Sequence, residues 1–249
     1  MNKYKIQSED RLQKTWIPEG SEEYKHFKLV TQENKFLAKF LGKKFNLQPG
    51  QFILDVGGRE GDISVQLQNP RYIQIVDPDP TLKLPFKPNK LLKKKIQNVN
   101  LTGKYKLIIC SHVWGYLGNQ KVLEQVFQNL INLIGSGDSL VLFCNTNTGY
   151  MGELLKFSKK NLDHGHYDYF DEKLLDKLDV KKFKIEQKDV MFDLNYNSFG
   201  ELARCCWFLF GAIDQDIDKV AKQFLPKLKK DLKKPNFPIE ERITIITKK

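Results

Sequence analysis

A short turn near residue 55 combines residue types that can bind a charged small molecule. The segment LDVGGREGD, residues 54–62, places the carboxylate of Asp55 at the end of an apolar run, and glycines follow closely. Glycine lets a backbone approach a ligand because no side chain intervenes. Arg59 stands where a third small residue would be expected. The turn therefore predicts a binding loop with one bulky, cationic substitution, and its glycines are Gly57, Gly58 and Gly61.

A second carboxylate follows at the end of the next apolar segment. Asp77 closes RYIQIVD, about 20 residues beyond the turn, and a carboxylate at that distance can accept both hydroxyls of a ribose. Its alternative role is that of a turn residue ahead of Pro78. Neither a GxGxxG dinucleotide fingerprint nor a GxxxxGK[ST] phosphate loop occurs in the chain, which argues against NAD and ATP as ligands.

The segments that must position these residues alternate between strands and helices. This alternation over residues 50–146 predicts an α/β fold with an open, doubly wound sheet, mostly parallel and seven-stranded, with an antiparallel edge strand and additional helices. The predicted strands are 51–58, 71–77, one within 93–101, 104–113, 135–146, 181–195 and 242–249. The predicted helices are 22–45, 62–69, 119–134, 149–161, 169–178, 198–213 and a basic one interrupted by Pro226.

Composition predicts a globular protein that folds as a single domain over residues 1–249. Its parts would be an N-terminal helical segment, a cofactor-binding half and a substrate side, at 1–46, 47–147 and 148–249. No apolar run approaches the roughly 20 residues that span a bilayer, and the first residues lack the apolar core of a secretory signal. The four cysteines lack metal-ligand spacing, and the His–x–His of HGHYDYF lacks a third ligand nearby. We therefore expect a cytoplasmic protein with reduced thiols and no metal site.

Residues 50–146 resemble a class I S-adenosylmethionine-dependent methyltransferase. The resemblance rests on ILDVGGREGDIS, IQIVDPDP, YKLIICSHVWGYL and GSGDSLVLFC, in the family's order and at its usual distances. More loosely, the whole chain is similar to the histamine N-methyltransferase branch, through the doubled-glycine turn, VDP at a strand end, and the late segments LPKLKKDLKKPNF and RITIITKK. The resemblance implies an enzyme that uses S-adenosylmethionine as its cofactor.

The resemblance also assigns roles to individual residues. The three glycines would lie against the cofactor's amino acid and sugar, Asp55 would hold its ammonium group, and Asp77 would take the ribose hydroxyls. Members of the family usually carry a small residue where Arg59 stands. Its guanidinium either points outward, free to meet the cofactor's carboxylate, or fills the pocket and abolishes binding. The remaining implied contacts, to adenine and the sulfonium, are Pro78, Asp79, Gln97 and Ser111.

Candidates for the acceptor side lie outside the sheet core. His112 could serve as a catalytic base, because its unperturbed pKa is near 6.5, or it is an ordinary hydrogen-bonded residue at a strand end. Glu33 lies near the place where the histamine branch uses an acid to hold the substrate amine, or it is a solvated helix residue. Aromatic residues could wall a pocket for a cationic or apolar substrate, although most aromatics at such places are core. They are Tyr116, Tyr150, Tyr167, Tyr196, Phe199 and Trp207.

The net charge of +11, carried mainly by lysine, leaves two functions open. The first is a methyltransferase that acts on a small molecule, through an amine nitrogen. The second is an RNA-associated protein, either an RNA methyltransferase or a cofactor-free scaffold, which the lysine-rich segment 219–234 and Arg59 favour. Lysine-rich faces without interleaved aromatics also occur as plain solvated surface. The sequence leaves the oligomeric state open.

Overall fold

A seven-stranded sheet organises the part of the chain that the computed structural model describes, residues 31–80, 82–117, 120–153, 156, 170–195 and 236–249. Two α-helices with defined bounds and several short 3₁₀ helices accompany it, and residues 149–153 are also helical. The helices are α1, Glu33–Lys44, and α2, Gln120–Leu133. The strands are β1, Ile53–Val56; β2, Ile73–Val76; β3, Lys90–Leu92; β4, Tyr105–Ser111; β5, Ile134–Asn145; β6, Phe183–Asn195; and β7, Asn236–Lys248.

The strand order β3-β2-β1-β4-β5-β7-β6 reverses direction at β1. The pairs β1–β2, β1–β4, β2–β3 and β4–β5 are parallel. The β6–β7 pair is antiparallel, because its contacts descend along β7 while they ascend along β6: Lys182 meets Lys249, and Asp189 meets Arg242. The predicted mostly parallel sheet with an antiparallel edge is confirmed.

The central strands are nearly continuous apolar runs, as strands covered on both faces require. Leu54, Ile108 and Leu142, from β1, β4 and β5, are fully buried. Amphipathic α2 packs its apolar face on the same core, where Trp114, Phe127 and Phe170 form edge-to-face or tilted ring contacts. Two of the predicted reduced cysteines, Cys110 and Cys144, are buried free thiols.

Contacts divide the chain into two compact units. The first comprises Glu33–Cys144, Phe170–Asp189 and Arg242–Lys249, and it holds the glycine turn and both predicted carboxylates. The second includes the described residues outside those ranges. The single-domain boundaries predicted from composition stay a prediction. Within the described ranges, no helix has the length and apolar character needed to cross a membrane.

The helix predicted at residues 62–69 is wrong, because only a 3₁₀ helix, Ser64–Gln66, forms there. Pro70 explains the difference. Asn69 adopts the extended backbone that a residue before proline prefers, with φ −60° and ψ 133°, so the chain has no room for a second helical turn. A separate 3₁₀ helix, Pro70–Tyr72, follows and leads into β2.

Two other predictions differ from the structure in detail. The third strand forms at Lys90–Leu92, upstream of 93–101, because Leu91 and Leu92 pair with β2 whereas Lys93 and Lys94 are exposed. The helix predicted at 169–178 is a 3₁₀ helix, Glu172–Lys177, whose N-cap Asp171 accepts a hydrogen bond from the amide of Lys173. The helix predicted from residue 22 is described only from Glu33. The segments 198–213 and 219–234 lie outside the described residues.

Arg242 on β7 ties the antiparallel edge to the 3₁₀ helix. Its Nε and Nη2 donate to the carboxylate of Asp189 at 2.5 and 2.8 Å, and Nη1 donates to Glu172. Its side chain is 22% exposed. Bidentate guanidinium–carboxylate pairs are among the strongest ion pairs. The pair between Arg242 and Asp189 therefore helps to hold β7 in register with β6.

We expect Arg242→Gln to lower the free energy of unfolding by about 1–3 kcal/mol, because it leaves two carboxylates without their shared partner. Chemical denaturation measures the change. Lys156→Gln is the matched control, since Lys156 pairs with Glu153 at 2.7 Å but is 74% exposed, and it should cost at most about 0.5 kcal/mol. Equal losses in the two variants would contradict a structural role for the Arg242 cluster.

Candidate functional site

The two predicted carboxylates lie at the carboxyl ends of two neighbouring strands of the sheet. Asp55 belongs to β1 and Asp77 directly follows β2, and the parallel register sets Val56 opposite Val76. The amide of Gly57 donates to the carbonyl of Val76 at 2.7 Å, which holds the glycine turn beside the end of β2. In open α/β sheets, ligands bind beyond the carboxyl ends of the strands where the strand order reverses. The carboxyl ends of β1 and β2, with the glycine turn beside them, are at that place.

Asp55 is a buried acid, only 2% exposed. Burial raises its pKa to about 7, hydrogen bonds from Ser64 lower it, and the negative charges of Asp77 and Asp62 raise it further. Its Oδ2 has no hydrogen-bond partner among the described residues. A buried acceptor without a donor is costly, so a cationic or N–H-bearing ligand group would relieve it.

Gly58 is explained by the same carboxylate. A Cβ at this position would lie 2.5 Å from the carboxyl carbon of Asp55, well inside van der Waals contact. Any side chain here would push the carboxylate out of its place. The doubled glycine of the sequence therefore has separate tasks: Gly57 takes a left-handed backbone with φ +67°, and Gly58 leaves room for Asp55.

Asp77 is 3% exposed and accepts two backbone hydrogen bonds. Its Oδ2 accepts from the amide of Arg59 at 3.1 Å and its Oδ1 from the amide of Asp79 at 2.9 Å. Burial raises the pKa of Asp77, while these two amides and the positive charge of Arg59 lower it. Each carboxylate oxygen has two lone pairs, so both can still accept a hydroxyl. Its role as a ribose acceptor stays a prediction.

Arg59 adopts a left-handed backbone with φ +44°. Non-glycine residues seldom do so, and glycine would enter that region at no steric cost. The turn thus keeps the backbone path that suits a small residue, and its amide binds Asp77 whichever side chain is present. The arginine side chain is half-buried, and its charge acts on Asp77.

Comparison with solved structures identifies the fold. No family model matches the chain, and no curated protein matches it. Among solved structures, the chain is similar to the Bacillus subtilis YcgJ protein, at a TM-score of 0.60 and 9% identity over 86% of this chain and 99% of that one. The chain has the class I methyltransferase fold.

Two further structures of this fold are methyltransferases crystallised with S-adenosylhomocysteine. Magnesium protoporphyrin IX methyltransferase from Synechocystis PCC 6803 gives a TM-score of 0.51 and 15% identity, over 87% of this chain and 82% of that one. The plantazolicin methyltransferase BpumL gives 0.51 and 10%, over 96% and 94%. The similarity to the histamine N-methyltransferase branch stays a prediction.

On this methyltransferase fold, the structure brings Glu33 and His112 together. Glu33 begins α1 and is 5% exposed, so its alternative role as a solvated helix residue is wrong. Its Oε1 lies 3.9 Å from Nε2 of His112. His112 follows β4 with φ +53°, donates its amide to Phe143 at 2.9 Å and sets its ring edge against that phenyl group. Residues with a strained backbone are often found at functional sites. Arg59 and His112 are two such residues, and both follow the carboxyl ends of strands.

The other predicted residues fall into four groups. Ser111, Pro78 and Asp79 lie at the carboxyl ends of the strands. Ser111 ends β4 beside Gly57, whereas Pro78 and Asp79 follow β2 and are exposed and buried, respectively. Gln97 is half-buried in a 3₁₀ helix beyond β3, so its predicted adenine contact stays a prediction. Tyr116 lies in a 3₁₀ helix just after β4, and Tyr150 belongs to the second compact unit. The remaining aromatics lie outside the described residues: Tyr167, Tyr196, Phe199 and Trp207.

Sequence reasoning missed three residues that support the turn. Ser64 hydrogen-bonds Asp55, Phe86 packs where a Cβ of Gly61 would be, at 2.7 Å, and Asn34 of α1 donates to Asp62 at 3.3 Å. Ser64 follows Asp55 in the first turn after the glycines, which is a local signal. Phe86 and Asn34 gave no signal, because their contacts depend on tertiary packing.

We expect Asp55→Asn to become progressively more stable than the wild type as pH rises. The folded state keeps the Asp55 proton up to about pH 7, whereas the unfolded chain loses it near pH 4. The wild type therefore loses stability over that window and the neutral amide does not. Between pH 5 and pH 8 the difference in unfolding free energy should grow by about 2–3 kcal/mol.

Urea denaturation at several pH values measures this difference. Asp176→Asn is the control, because Asp176 is exposed and its variant should track the wild type at every pH. A stability difference for Asp55→Asn that stays constant from pH 4 to pH 8 would show that Asp55 ionises normally.

Proposed function

We propose that the protein transfers a methyl group from S-adenosylmethionine to a small-molecule acceptor, at an amine nitrogen. The main observation behind this proposal is the pair of buried carboxylates at neighbouring strand ends. Asp55 has an oxygen without a hydrogen-bond donor, and Asp77 is positioned by two backbone amides. Methyltransferases that share this fold have been crystallised with S-adenosylhomocysteine. This supports the choice of ligand, which the residues at the strand ends also fit.

When bound, S-adenosylmethionine supplies a methyl group on a sulfonium, which is already a strong electrophile. The protein therefore has to align the acceptor with the methyl group and to exclude water. Alignment alone can lower the activation barrier by about 7–11 kcal/mol. Asp55 would accept from the ammonium group and Asp77 from the ribose hydroxyls. Pro78 and Asp79 would border the adenine, and Ser111 would lie near the reacting end.

Glu33 and His112 suit an acceptor that arrives as a cation. A buried carboxylate is stabilised by a positive partner, so Glu33 would hold the amine. An amine must lose its proton before it can attack, and a neutral histidine is a base at physiological pH. His112 would take that proton, with Glu33 close enough to stabilise the imidazolium that results. The catalytic role thus falls on His112 and the binding role on Glu33.

Calorimetric titration with S-adenosylmethionine and S-adenosylhomocysteine tests the proposal. We expect the wild type to bind both, and Asp77→Asn to weaken binding at least tenfold, because a neutral amide cannot accept two hydroxyls as a carboxylate does. Asp176→Asn should bind as the wild type does. Absence of binding by a folded wild type would overturn the proposal.

Arg59→Gly separates the two roles open to that side chain. If the guanidinium obstructs the pocket, the glycine variant binds more tightly than the wild type. If it meets the cofactor's carboxylate, the variant binds more weakly. The amide that donates to Asp77 is present in both proteins, so the ribose contact is unaffected and the comparison isolates the side chain.

We expect Glu33→Gln to raise KM for amine acceptors at least tenfold, because it removes a charged hydrogen-bond acceptor from a buried site. Initial rates over a panel of primary amines measure this, with Glu153→Gln as control, since Glu153 is exposed. Transfer to hydroxyl acceptors alone, or an unchanged KM in Glu33→Gln, would contradict the assignment to an amine.

A further inference from the structure

One long stretch of the chain carries no acidic residue. Between Asp79 and Glu124 there is neither aspartate nor glutamate. Lysines recur through the same stretch, and six of them fall within residues 83–95. The segment runs from the loop after β2, through β3, to the 3₁₀ helix beyond it. Positive charge is therefore concentrated along one edge of the sheet.

Five of these lysines form a surface that we call the β3-edge face: Lys83, Lys87, Lys90, Lys93 and Lys94. All five are exposed, and β3 is the outermost strand on its side of the sheet. Within the described ranges, none of the five forms an ion pair with a carboxylate. Lys93 donates to the backbone carbonyl of Pro80 at 2.9 Å, which keeps its charge and fixes its position.

The opposite edge of the sheet offers an internal comparison. Residues 179–189, around β6, contain four lysines but also three acids. There Lys182 pairs with Asp179, Lys184 pairs with Glu186, and Lys44 of α1 also reaches Glu186. Both edges are thus rich in lysine, but within the described residues only the lysines of the β6 edge pair with acids.

Protection of an edge strand does not account for this difference. Lysines on an edge discourage pairing with another chain, and the balanced β6 edge shows that charge compensation is compatible with that task. Uncompensated like charges repel each other and lower stability. A partner that supplies negative charge would offset this repulsion.

We propose that the β3-edge face binds the phosphate backbone of single-stranded nucleic acid. Phosphate contacts by lysine are independent of sequence and release counterions. Exposed ammonium groups on the edge strand (Lys90), just after it (Lys93 and Lys94) and in the loop before it suit a flexible polyanion. An anionic membrane would need a second, apolar signal for stable binding. The large apolar side chains that are exposed in the described residues lie elsewhere: Phe52, Val65, Val180 and Met191.

The face adjoins the candidate site but does not depend on it. The amide of Asp77 donates to the carbonyl of Leu92 at 3.0 Å, and Lys93 follows directly. A strand bound along the face would pass close to the carboxylate assigned to the ribose. Nucleic-acid binding can hold whether or not the protein transfers methyl groups, so the two proposals succeed or fail separately.

Fluorescence anisotropy with an unstructured, labelled oligoribonucleotide, over a series of salt concentrations, tests the face on the full chain. The variant is Lys90→Glu, Lys93→Glu and Lys94→Glu together. The matched control is Lys181→Glu, Lys182→Glu and Lys184→Glu, which changes the net charge by the same amount at the β6 edge. Thermal unfolding and circular dichroism check that both triple variants are folded.

We expect the wild type to bind with an affinity that falls steeply with salt. The β3-edge variant should lose at least tenfold in affinity, and its salt slope should fall by about one per lysine removed. The control should retain the wild-type slope. Equal losses in both variants, no binding by the wild type, or binding to phosphatidylserine vesicles but not to the oligonucleotide would each overturn the proposal.

Discussion

The burial of two carboxylates at neighbouring strand ends is the constraint on which the rest of the structure depends. A buried charge is costly unless donors surround it, and the chain supplies some but not all of them. Ser64 donates to Asp55, and the amides of Arg59 and Asp79 donate to Asp77. Arg59 belongs to the glycine turn, Ser64 follows it closely, and Asp79 lies two residues beyond Asp77. A change in the shape of the turn would therefore remove a donor from Asp77 and disturb the one beside Asp55. The carboxylate oxygens of Asp55 and Asp77 can accept further hydrogen bonds, which suits an ammonium group and hydroxyls.

This constraint explains why an arginine is tolerated in the turn. The contact that matters at position 59 is made by the backbone amide, which every residue except proline possesses. The substitution therefore costs the strain of a left-handed backbone, on the order of 1–2 kcal/mol, and leaves the hydrogen bond to Asp77 in place. The side chain instead adds a positive charge beside a cluster of acids.

Charge is distributed unevenly between the strand ends and the edges of the sheet. Asp55, Asp62, Asp77 and Asp79 gather around the glycine turn, whereas the neighbouring segment through β3 contains only basic charges. The acids are buried or half-buried and the lysines are exposed. The first set suits a small cationic ligand held closely, and the second suits a polyanion held loosely in water. The two proposed ligands, of opposite charge, would therefore bind at neighbouring places on the sheet.

The sequence alone determined the sheet, the two carboxylates and the turn between them. These features are local: apolar runs of strand length, an acid at the end of a run, and glycines that free the backbone. It did not determine the length of the element after the turn, where Pro70 limits a predicted helix to a short 3₁₀ helix, or the place of β3, where pairing with β2 outweighed the pattern of residues 93–101.

Only the tertiary structure decided which distant residues meet. It buried Glu33 beside His112, set Phe86 against Gly61 and joined Asn34 to Asp62, pairs that lie far apart along the chain. It also showed that lysines at the two edges differ, paired with acids at β6 and uncompensated at β3. Contacts of this kind depend on how helices and loops pack over the sheet, and local composition and periodicity carry no information on that packing.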